Sequence, residues 1–237
     1  MFRSQAAPLL TVLLLAGCGA GREREQPNVL VVLVDTLRAD RLPFYGYGED
    51  TAPFLTSWAR RSVVFERAWA ASSWTAPATA SVFTGVYPHQ HGVVVGMQVG
   101  NHMRKLASEY ELSRLPVELE TLPEFLRSVG YRTFGVADNP NIGTELGFEQ
   151  GFDRFVCYPA LDSEQVTATV REWSAEIRAA EPWFVYLHFM DPHFPYEQHA
   201  PFYRAPDSED PIVLASAAYD SEIRFLDQEI EKVFTAL

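Results

Sequence analysis

The sequence is short of cysteine and of basic residues, and its N-terminal apolar run is too short to cross a bilayer. Its 237 residues contain two cysteines and 19 Lys and Arg against 31 Asp and Glu, so the formal net charge is -12. Because contacts with phosphate dominate the affinity of proteins for nucleic acid, this charge argues against a nucleic-acid partner. The sequence also lacks an internal repeat or a low-complexity tract, which excludes repeat architectures.

The N-terminal segment combines a basic residue with that short apolar run. Arg3 precedes the run, and residues 15–18, Leu-Ala-Gly-Cys, resemble a bacterial lipobox, in which the cysteine becomes lipid-modified and forms the new N-terminus. We expect residues 1–17 to be a lipoprotein signal peptide, and residues 18–26 to be the lipidated Cys18 and a polar tether. A simple secretory signal or a short anchor is the alternative. On this hypothesis the protein is exported and lipid-anchored to the bacterial cell envelope, and Cys157 is a buried thiol without a partner.

The remaining residues, 27–237, have the composition of one soluble domain, since the whole chain is 47% hydrophobic and 21% charged. Apolar runs that end in a carboxylate alternate with amphipathic segments. The runs predict buried strands, and the alternation predicts an α/β fold with a mostly parallel sheet sandwiched by helices. The predicted strands are residues 29–34, 62–65, 131–137 and 183–190, and the predicted helices begin at Thr51 and cover residues 121–130, 163–180 and 215–237.

Polar side chains follow the predicted strands, where open parallel sheets bind ligands. Asp35 follows the first strand and suits a hard divalent cation, although it could also be a helix N-cap. Asp191 and His193 follow the last strand, and Asp191 could bind a metal or support one. His188 lies inside that strand, which favours a packed core residue. Asn139 follows residues 131–137 and could either donate a hydrogen bond to a ligand or cap the next loop.

Residues 73–85 are the most informative stretch. Pro77 is tolerated in the first turn of a helix, so Thr75 should lie at or just before a helix N-terminus. The free N–H groups there favour an anion. The Thr75 hydroxyl becomes a nucleophile if a metal or an adjacent base lowers its pKa, whereas the alternative is an ordinary N-cap.

The run Thr-Ala-Pro-Ala-Thr-Ala-Ser-Val-Phe-Thr-Gly at residues 75–85, followed by Tyr-Pro-His-Gln-His-Gly-Val at 87–93, resembles the nucleophile segment of the sulfatase family. The segments at residues 35–47 and 147–153 resemble the same family, which belongs to the alkaline-phosphatase-like superfamily. The resemblance covers about residues 27–237, the first half of a usual catalytic region. It implies an alkaline-phosphatase/sulfatase-like fold, truncated before the last metal-ligand strand, in either a fragment or a truncated relative. His89 and His91 are expected to be turn and packing residues.

Four departures distinguish this chain from the usual pattern. Thr75 replaces the Cys or Ser nucleophile, Thr79 replaces an Arg, and Thr36 stands where many members have a second Asp. Residues 131–150 also lack the Lys and His that commonly hold the substrate anion. Oxidation of a threonine gives a ketone rather than an aldehyde, so formylglycine chemistry is not expected at Thr75. Threonine is the nucleophile in phosphodiesterase-like and phosphoethanolamine-transferring members of the superfamily.

The resemblance implies a site for a metal and an ester. Asp35 and Thr75 would be metal ligands, Thr75 the catalytic nucleophile, and His193 a ligand of the substrate anion. The metal would be Ca²⁺, Mg²⁺, Mn²⁺ or Zn²⁺. The expected function is metal-dependent hydrolysis of sulfate or phosphate esters of a small molecule, a glycan or a lipid, with the lipid anchor at the membrane. The alternatives are a phosphotransferase of the same superfamily and a non-catalytic surface lipoprotein that retains the fold.

Overall fold

The computed structural model describes residues 26–97, 111–159 and 162–237, so Cys18 and the predicted signal peptide lie outside the described residues. The described strands are β1 (Val29–Val34), β2 (Arg132–Ala137), β3 (Arg154–Cys157) and β4 (Trp183–Phe189). The α-helices are α1 (Pro53–Ala59), α2 (Thr75–Thr84), α3 (Pro88–His91), α4 (Leu122–Ser128), α5 (Ser163–Ala179) and α6 (Pro211–Ala236). Short 3-10 helices cover Ala39–Arg41, Pro43–Tyr45, Pro140–Ile142 and Thr144–Leu146. None of these helices is both long and apolar enough for a membrane span.

The four strands form one parallel sheet in the order β1-β4-β2-β3. His188 of β4 is in register with Leu33 of β1 on one side and with Ala137 of β2 on the other. The carboxyl ends of these three strands therefore meet at one edge of the sheet. This arrangement confirms the predicted parallel α/β fold and brings the residues after each strand together.

Helices cover both faces of the sheet. Alternate residues of β4 point to opposite sides: Val185 and Leu187 pack with α5 and α6, whereas Phe184 and Tyr186 pack with α2 and α4. The predicted helix at residues 163–180 is confirmed as α5, and its apolar side chains Val166, Val170, Trp173 and Ile177 are all buried. The predicted helix at residues 121–130 is confirmed as α4, and Thr121 caps it: Thr121 accepts a hydrogen bond from the Glu124 N–H and donates its own N–H to the Glu124 carboxylate.

Several details differ from the sequence-based predictions. Residues 62–65 form an exposed loop rather than a strand, because no strand of the described residues pairs with them; Val63 and Phe65 are 81% and 69% exposed. In the described residues β1 pairs only with β4, so β1 is half-buried rather than buried on both faces. Ala52 rather than Thr51 is the N-cap of α1, since the Thr51 hydroxyl donates to the Arg41 carbonyl.

The end of β3 carries the predicted thiol. Cys157 is half-buried, and its Sγ lies 3.2 Å from the Asn139 carbonyl oxygen. Burial raises the pKa of the thiol to about 11. Cys157 is therefore a packing residue that stays protonated at neutral pH.

Candidate active site

Thr75 and Asp35 form the centre of the candidate site. Thr75 is the first residue of α2, as predicted, and its Oγ1 donates a 2.7 Å hydrogen bond to Oδ2 of Asp35. The N-cap position belongs to Trp74, so the Thr75 hydroxyl is not used as an ordinary cap. Asp35 follows β1 directly and is held by its own N–H, which donates to the Phe189 carbonyl of β4. The strand end and the helix start thus place a carboxylate and an alcohol in direct contact.

Asn139 completes this contact from the end of β2. Its Nδ2 lies 3.2 Å from Asp35 Oδ2 and 3.4 Å from Thr75 Oγ1. Its Oδ1 accepts a hydrogen bond from the Asn141 N–H at 2.9 Å, which caps the 3-10 helix that follows. The loop cap, one of the two alternatives that the sequence left open, is therefore realised, and the same buried side chain also contacts Asp35 and Thr75.

His188 faces the same carboxylate from β4. The imidazole is fully buried, its Nε2 lies 3.7 Å from Asp35 Oδ2, and neither ring nitrogen has a hydrogen-bond partner in the described part of the chain. Burial lowers the pKa of His188, which the nearby Asp35 raises only in part, so the ring is neutral at neutral pH. The sequence predicted a packed core residue at position 188 and did not predict its contact with Asp35. Strand periodicity could have found it, since His188 shares the α2-facing side of β4 with Tyr186.

A cavity of about 520 Å³ opens beside Thr75, between the end of β1, the loop before α2 and α2 itself. Asp35 is its only ionisable lining residue, and this lining includes neither Lys nor Arg. Thr79, at the position of the usual Arg, is buried, and its hydroxyl has no hydrogen-bond partner among the described residues. The first turn of α2 offers free N–H groups to an anion, but the described residues that line this cavity place no positively charged side chain beside Asp35.

The donor groups around Asp35 fit a bound cation. The cluster contains a carboxylate, an alcohol oxygen and a neutral imidazole with unpartnered nitrogens, and these are ligand types of divalent metals. The cavity lining contains no second carboxylate, in keeping with Thr36 at the position where many family members have an Asp. Instead, Thr36 donates its hydroxyl to the Pro192 carbonyl at 2.9 Å.

His193 lies beside this cluster rather than in it. It lines a neighbouring cavity, and its Nδ1 lies 2.7 Å from the Phe194 carbonyl oxygen. Thr36, which follows Asp35, contacts Pro192, which precedes His193. His193 is therefore next in the sequence to a residue that touches the Asp35 loop. The structure thus brings Asp35 and Thr75 into contact and leaves His193 at the rim.

The two histidines after α2 belong to a separate turn. His91 is buried, with its Nε2 3.1 Å from Ser81 Oγ and its Nδ1 accepting the Val93 N–H. Burial lowers the pKa of His91. His89 is exposed and stacks on Tyr87. Both are packing and turn residues, as expected.

A family model matches most of this chain, and known proteins resemble about half of it. The Sulfatase family model matches residues 27–237. The N-acetylgalactosamine-6-sulfatase of Canis lupus familiaris is 30% identical over 124 residues, which are 52% of this chain and 23% of the relative. The Delta 4,5-hexuronate-2-O-sulfatase of Bacteroides thetaiotaomicron is 28% identical over 136 residues, 57% of this chain and 26% of that protein.

Solved structures share the fold. Ps i-CgsB, in complex with k-i-k-neocarrahexaose, superposes with a TM-score of 0.70 at 15% identity, over 90% of this chain and 55% of that one. The chain therefore spans about half the length of this structural relative. This similarity shows the fold, and the match of the family model over residues 27–237 establishes that the chain belongs to the sulfatase family.

Proposed function

We propose that this chain carries the nucleophile of a metal-dependent hydrolase of sulfate or phosphate esters, with Thr75 as nucleophile and metal ligand. The observation that carries the proposal is the 2.7 Å hydrogen bond from Thr75 Oγ1 to Asp35 Oδ2 at the start of α2. A nucleophilic alcohol needs an acceptor for its proton and a place where anionic oxygens are favoured. The Asp35 carboxylate and the N-terminus of α2 supply these two conditions.

In the proposed reaction, Oγ1 of Thr75 forms a bond to the sulfur or phosphorus, and the bond from that atom to the alcohol of the ester breaks. The alcohol leaves with a proton, and water then releases the sulfate or phosphate from Thr75. Asp35 and Thr75 would hold the divalent cation, which when bound lowers the pKa of the hydroxyl and offsets the charge of the ester. Ca²⁺, Mg²⁺ and Mn²⁺ suit the carboxylate and the hydroxyl, and Zn²⁺ also suits the His188 imidazole.

The choice between sulfate and phosphate esters depends on two opposing observations. The relatives named above are sulfatases of sugar sulfates, which supports a sulfated glycan as substrate. Thr75 cannot form the formylglycine aldehyde, and Thr79 replaces the family Arg, which supports a phosphate ester or phosphoryl transfer to an acceptor alcohol.

The lack of Lys and Arg in the cavity lining supports the third candidate, a surface protein that retains the fold without catalysis.

The test compares three substitutions in the full chain. Rates are measured on p-nitrophenyl sulfate, p-nitrophenyl phosphate and bis-p-nitrophenyl phosphate, with Ca²⁺, Mg²⁺, Mn²⁺ or Zn²⁺ added in turn. Thr75→Ala should lower the rate by at least about a thousandfold, because the nucleophile is lost, while Thr75→Ser should retain part of it. Thr84→Ala is the control, since Thr84 lies at the other end of α2, where its hydroxyl donates to the Ala80 carbonyl and accepts the Val86 N–H. Equal rates for wild type and Thr75→Ala would remove Thr75 from the mechanism, and an inactive wild type would favour the non-catalytic candidate.

We propose the location separately, from the sequence alone. Cys18 would be lipidated after export, and residues 18–26 would tether the domain to the bacterial cell envelope. Fatty-acid labelling and membrane fractionation test this in wild type, Cys18→Ser and the control Cys157→Ser. Loss of label in Cys18→Ser alone supports the anchor, whereas a label that survives this substitution contradicts it.

A further inference from the structure

A second group of ligating side chains lies next to the Asp35 cluster, on different residues. Asp191 follows β4, His199 lies in the segment after it, and Glu222 belongs to α6. One ligating atom from each of the three lies within 4.8 Å of the other two, and His199 Nε2 is 3.6 Å from Asp191 Oδ1. The three side chains line a cavity of about 600 Å³. A single ion placed between these atoms could bind all three after each ligand atom moves by less than a bond length.

Two of these atoms are left without hydrogen bonds by the described residues. Glu222 is only 3% exposed, and its Oε1 accepts the Glu197 N–H at 2.7 Å, but its Oε2 has no partner. His199 Nε2 has none either, since 3.6 Å from Asp191 is too long for a hydrogen bond. A buried carboxylate oxygen is costly unless it is paired or coordinates a metal. Glu222 lines this cavity and its Oε2 is buried without a partner, so this side chain points to a ligand.

Each of the three side chains is held in place by its other contacts. The Ser163 hydroxyl donates to Oδ2 of Asp191, which leaves Oδ1 for the cavity. The His199 ring stacks on Phe225, with centroids 4.1 Å apart and planes inclined by 8°. Glu222 is oriented by the hydrogen bond to its Oε1. Metal sites are oriented by such supporting contacts, which leave one ligand atom of each side chain available.

The charge of the cavity also favours a cation. Its lining contains five carboxylates, two histidines and neither Lys nor Arg; the acidic members are Asp162, Glu164, Asp191, Glu197 and Glu222. These acidic side chains disfavour an anionic ligand. An imidazole together with two carboxylates is a ligand set of Zn²⁺ and Mn²⁺ rather than of Ca²⁺ or Mg²⁺, which prefer oxygen ligands alone.

We propose that Asp191, His199 and Glu222 bind a divalent transition-metal ion, with Zn²⁺ as the representative ion, at a site distinct from the Asp35–Thr75 cation. The proposal is independent of the proposed ester hydrolysis. The ion would join the segment after β4 to α6. Because His193 lies between two of the ligands in the sequence, the same ion would fix the position of the segment that carries His193.

The experiment titrates the EDTA-treated full chain with ZnCl₂ by calorimetry. Asp35→Asn is used as the background, so that zinc at the Asp35 cluster does not contribute. In this background one equivalent should still bind, and His199→Gln or Glu222→Gln should weaken it by at least about 100-fold, since even residues that only orient a ligand affect metal affinity by about 10–100-fold. His89→Gln is the matched control for adventitious binding, because His89 is exposed and outside the cavity.

Thermal unfolding separates loss of the metal from loss of the fold. Glu222→Gln keeps the size of the side chain and an acceptor for the Glu197 N–H, so the metal-free variant should unfold close to the wild-type temperature. The increase in unfolding temperature that ZnCl₂ produces should disappear in this variant and persist in His89→Gln. A folded Glu222→Gln protein that retains the zinc-induced increase, or a folded Asp35→Asn protein that binds no zinc, would overturn the proposal, whatever the ester assays with Thr75→Ala give.

Discussion

At the scale of single residues, the side chains of the candidate active site all lie close to one oxygen atom. Oδ2 of Asp35 accepts hydrogen bonds from Thr75 and Asn139 and lies 3.7 Å from His188. These partners come from α2, from the end of β2 and from β4, so three elements depend on one carboxylate. Any change in charge at this point should therefore affect both stability and the affinity for a cation.

Asn139→Asp tests this dependence. The substitution keeps the acceptor for the Asn141 N–H but replaces Nδ2, 3.2 Å from Asp35 Oδ2, with a second carboxylate oxygen. Two carboxylates this close cannot both ionise without a large cost. In metal-free buffer we expect a loss of about 2–4 kcal/mol in the free energy of unfolding at pH 8 and a much smaller loss at pH 4.5, from urea titrations. Added Mn²⁺ or Mg²⁺ should restore part of the loss, because it binds the folded state.

The control exchanges the two residues. Asp35→Asn combined with Asn139→Asp restores one carboxylate and one amide, so the loss of stability at pH 8 should largely disappear. If Asn139→Asp is equally unstable at both pH values, or if the exchange gives no recovery, the cause is packing rather than repulsion between carboxylates.

Sequence reasoning reached Asp35 and Thr75 because each carries a local signal. An apolar run ends at Asp35, and Pro77 marks the helix that starts with Thr75. His199 and Glu222 have no such signal, and for His188 the strand periodicity gives only the face of β4, not the residue that it contacts. His188 looks like part of an apolar strand, and Glu222 looks like one of several acids on a long helix. Their roles follow from which elements pack together, and this is not encoded in a single stretch of sequence.

At the scale of elements, α1 depends on a cap that comes from another helix. Asp227 of α6 is 1% exposed, and its two carboxylate oxygens accept the Phe54 and Leu55 N–H groups at 2.8 and 2.9 Å. The N-cap residue of α1, Ala52, cannot accept a hydrogen bond through its side chain. Asp227 therefore satisfies the first turn of α1 and attaches this helix to α6.

Asp227→Ala should destabilise the protein more than the loss of an ordinary cap. The substitution removes the acceptor of two N–H groups. We therefore expect the free energy of unfolding, measured by urea titration, to fall by about 2–4 kcal/mol. Asp210→Ala is the matched control. Asp210 is the exposed N-cap of α6, where its Oδ1 accepts the Ile212 N–H at 2.8 Å, and its loss should cost about 0.5–2 kcal/mol. Equal losses for the two variants would show that the contact between α1 and α6 adds nothing.

Elements with complete local signals were predictable, and elements that need a distant partner were not. The cap at Thr121 and the apolar side of α5 each lie within one helix, so the helices at residues 121–130 and 163–180 could be predicted from local sequence. Residues 62–65 have the composition of a strand, but a strand also requires a neighbour with free backbone groups. The cap on α1 escaped prediction for the same reason, since Asp227 is more than 170 residues away from Phe54.

At the scale of the whole molecule, acidic residues lie together at the edge of the parallel sheet formed by the carboxyl ends of its strands. Asp35, Asp138 and Asp191 each follow a strand of this sheet, and the alternation of strands and helices predicts that they share an edge. The strand order β1-β4-β2-β3 decides which of them meet, and no local pattern predicts it. In this order β4 is central, so the residues that follow it contact both the Asp35 loop and α6.

Burial at this edge makes stability depend on pH, and Asp138 is the clearest case. It is fully buried, its Oδ2 accepts the Asp162 N–H, and its Oδ1 has no partner in the described chain. Burial raises the pKa of Asp138 from 3.8 to about 7. The folded state therefore holds a proton that the unfolded chain releases above pH 3.8, so this residue's contribution to stability falls as pH rises from about 4 to about 7. His188 acts in the opposite direction, because its lowered pKa costs stability only as pH falls below its ordinary value.

Comparison with Asp138→Asn isolates this contribution, because all other titrating groups cancel. Asn is a neutral equivalent of the protonated acid and keeps an acceptor for the Asp162 N–H. Relative to wild type, the variant should gain about 2–3 kcal/mol in the free energy of unfolding between pH 5 and pH 7, at about 1.4 kcal/mol per pKa unit. Urea titrations at half-unit pH steps in EDTA measure the difference. A difference that stays constant with pH would mean that Asp138 ionises normally in the folded protein, and that the polar edge of the sheet is open to water.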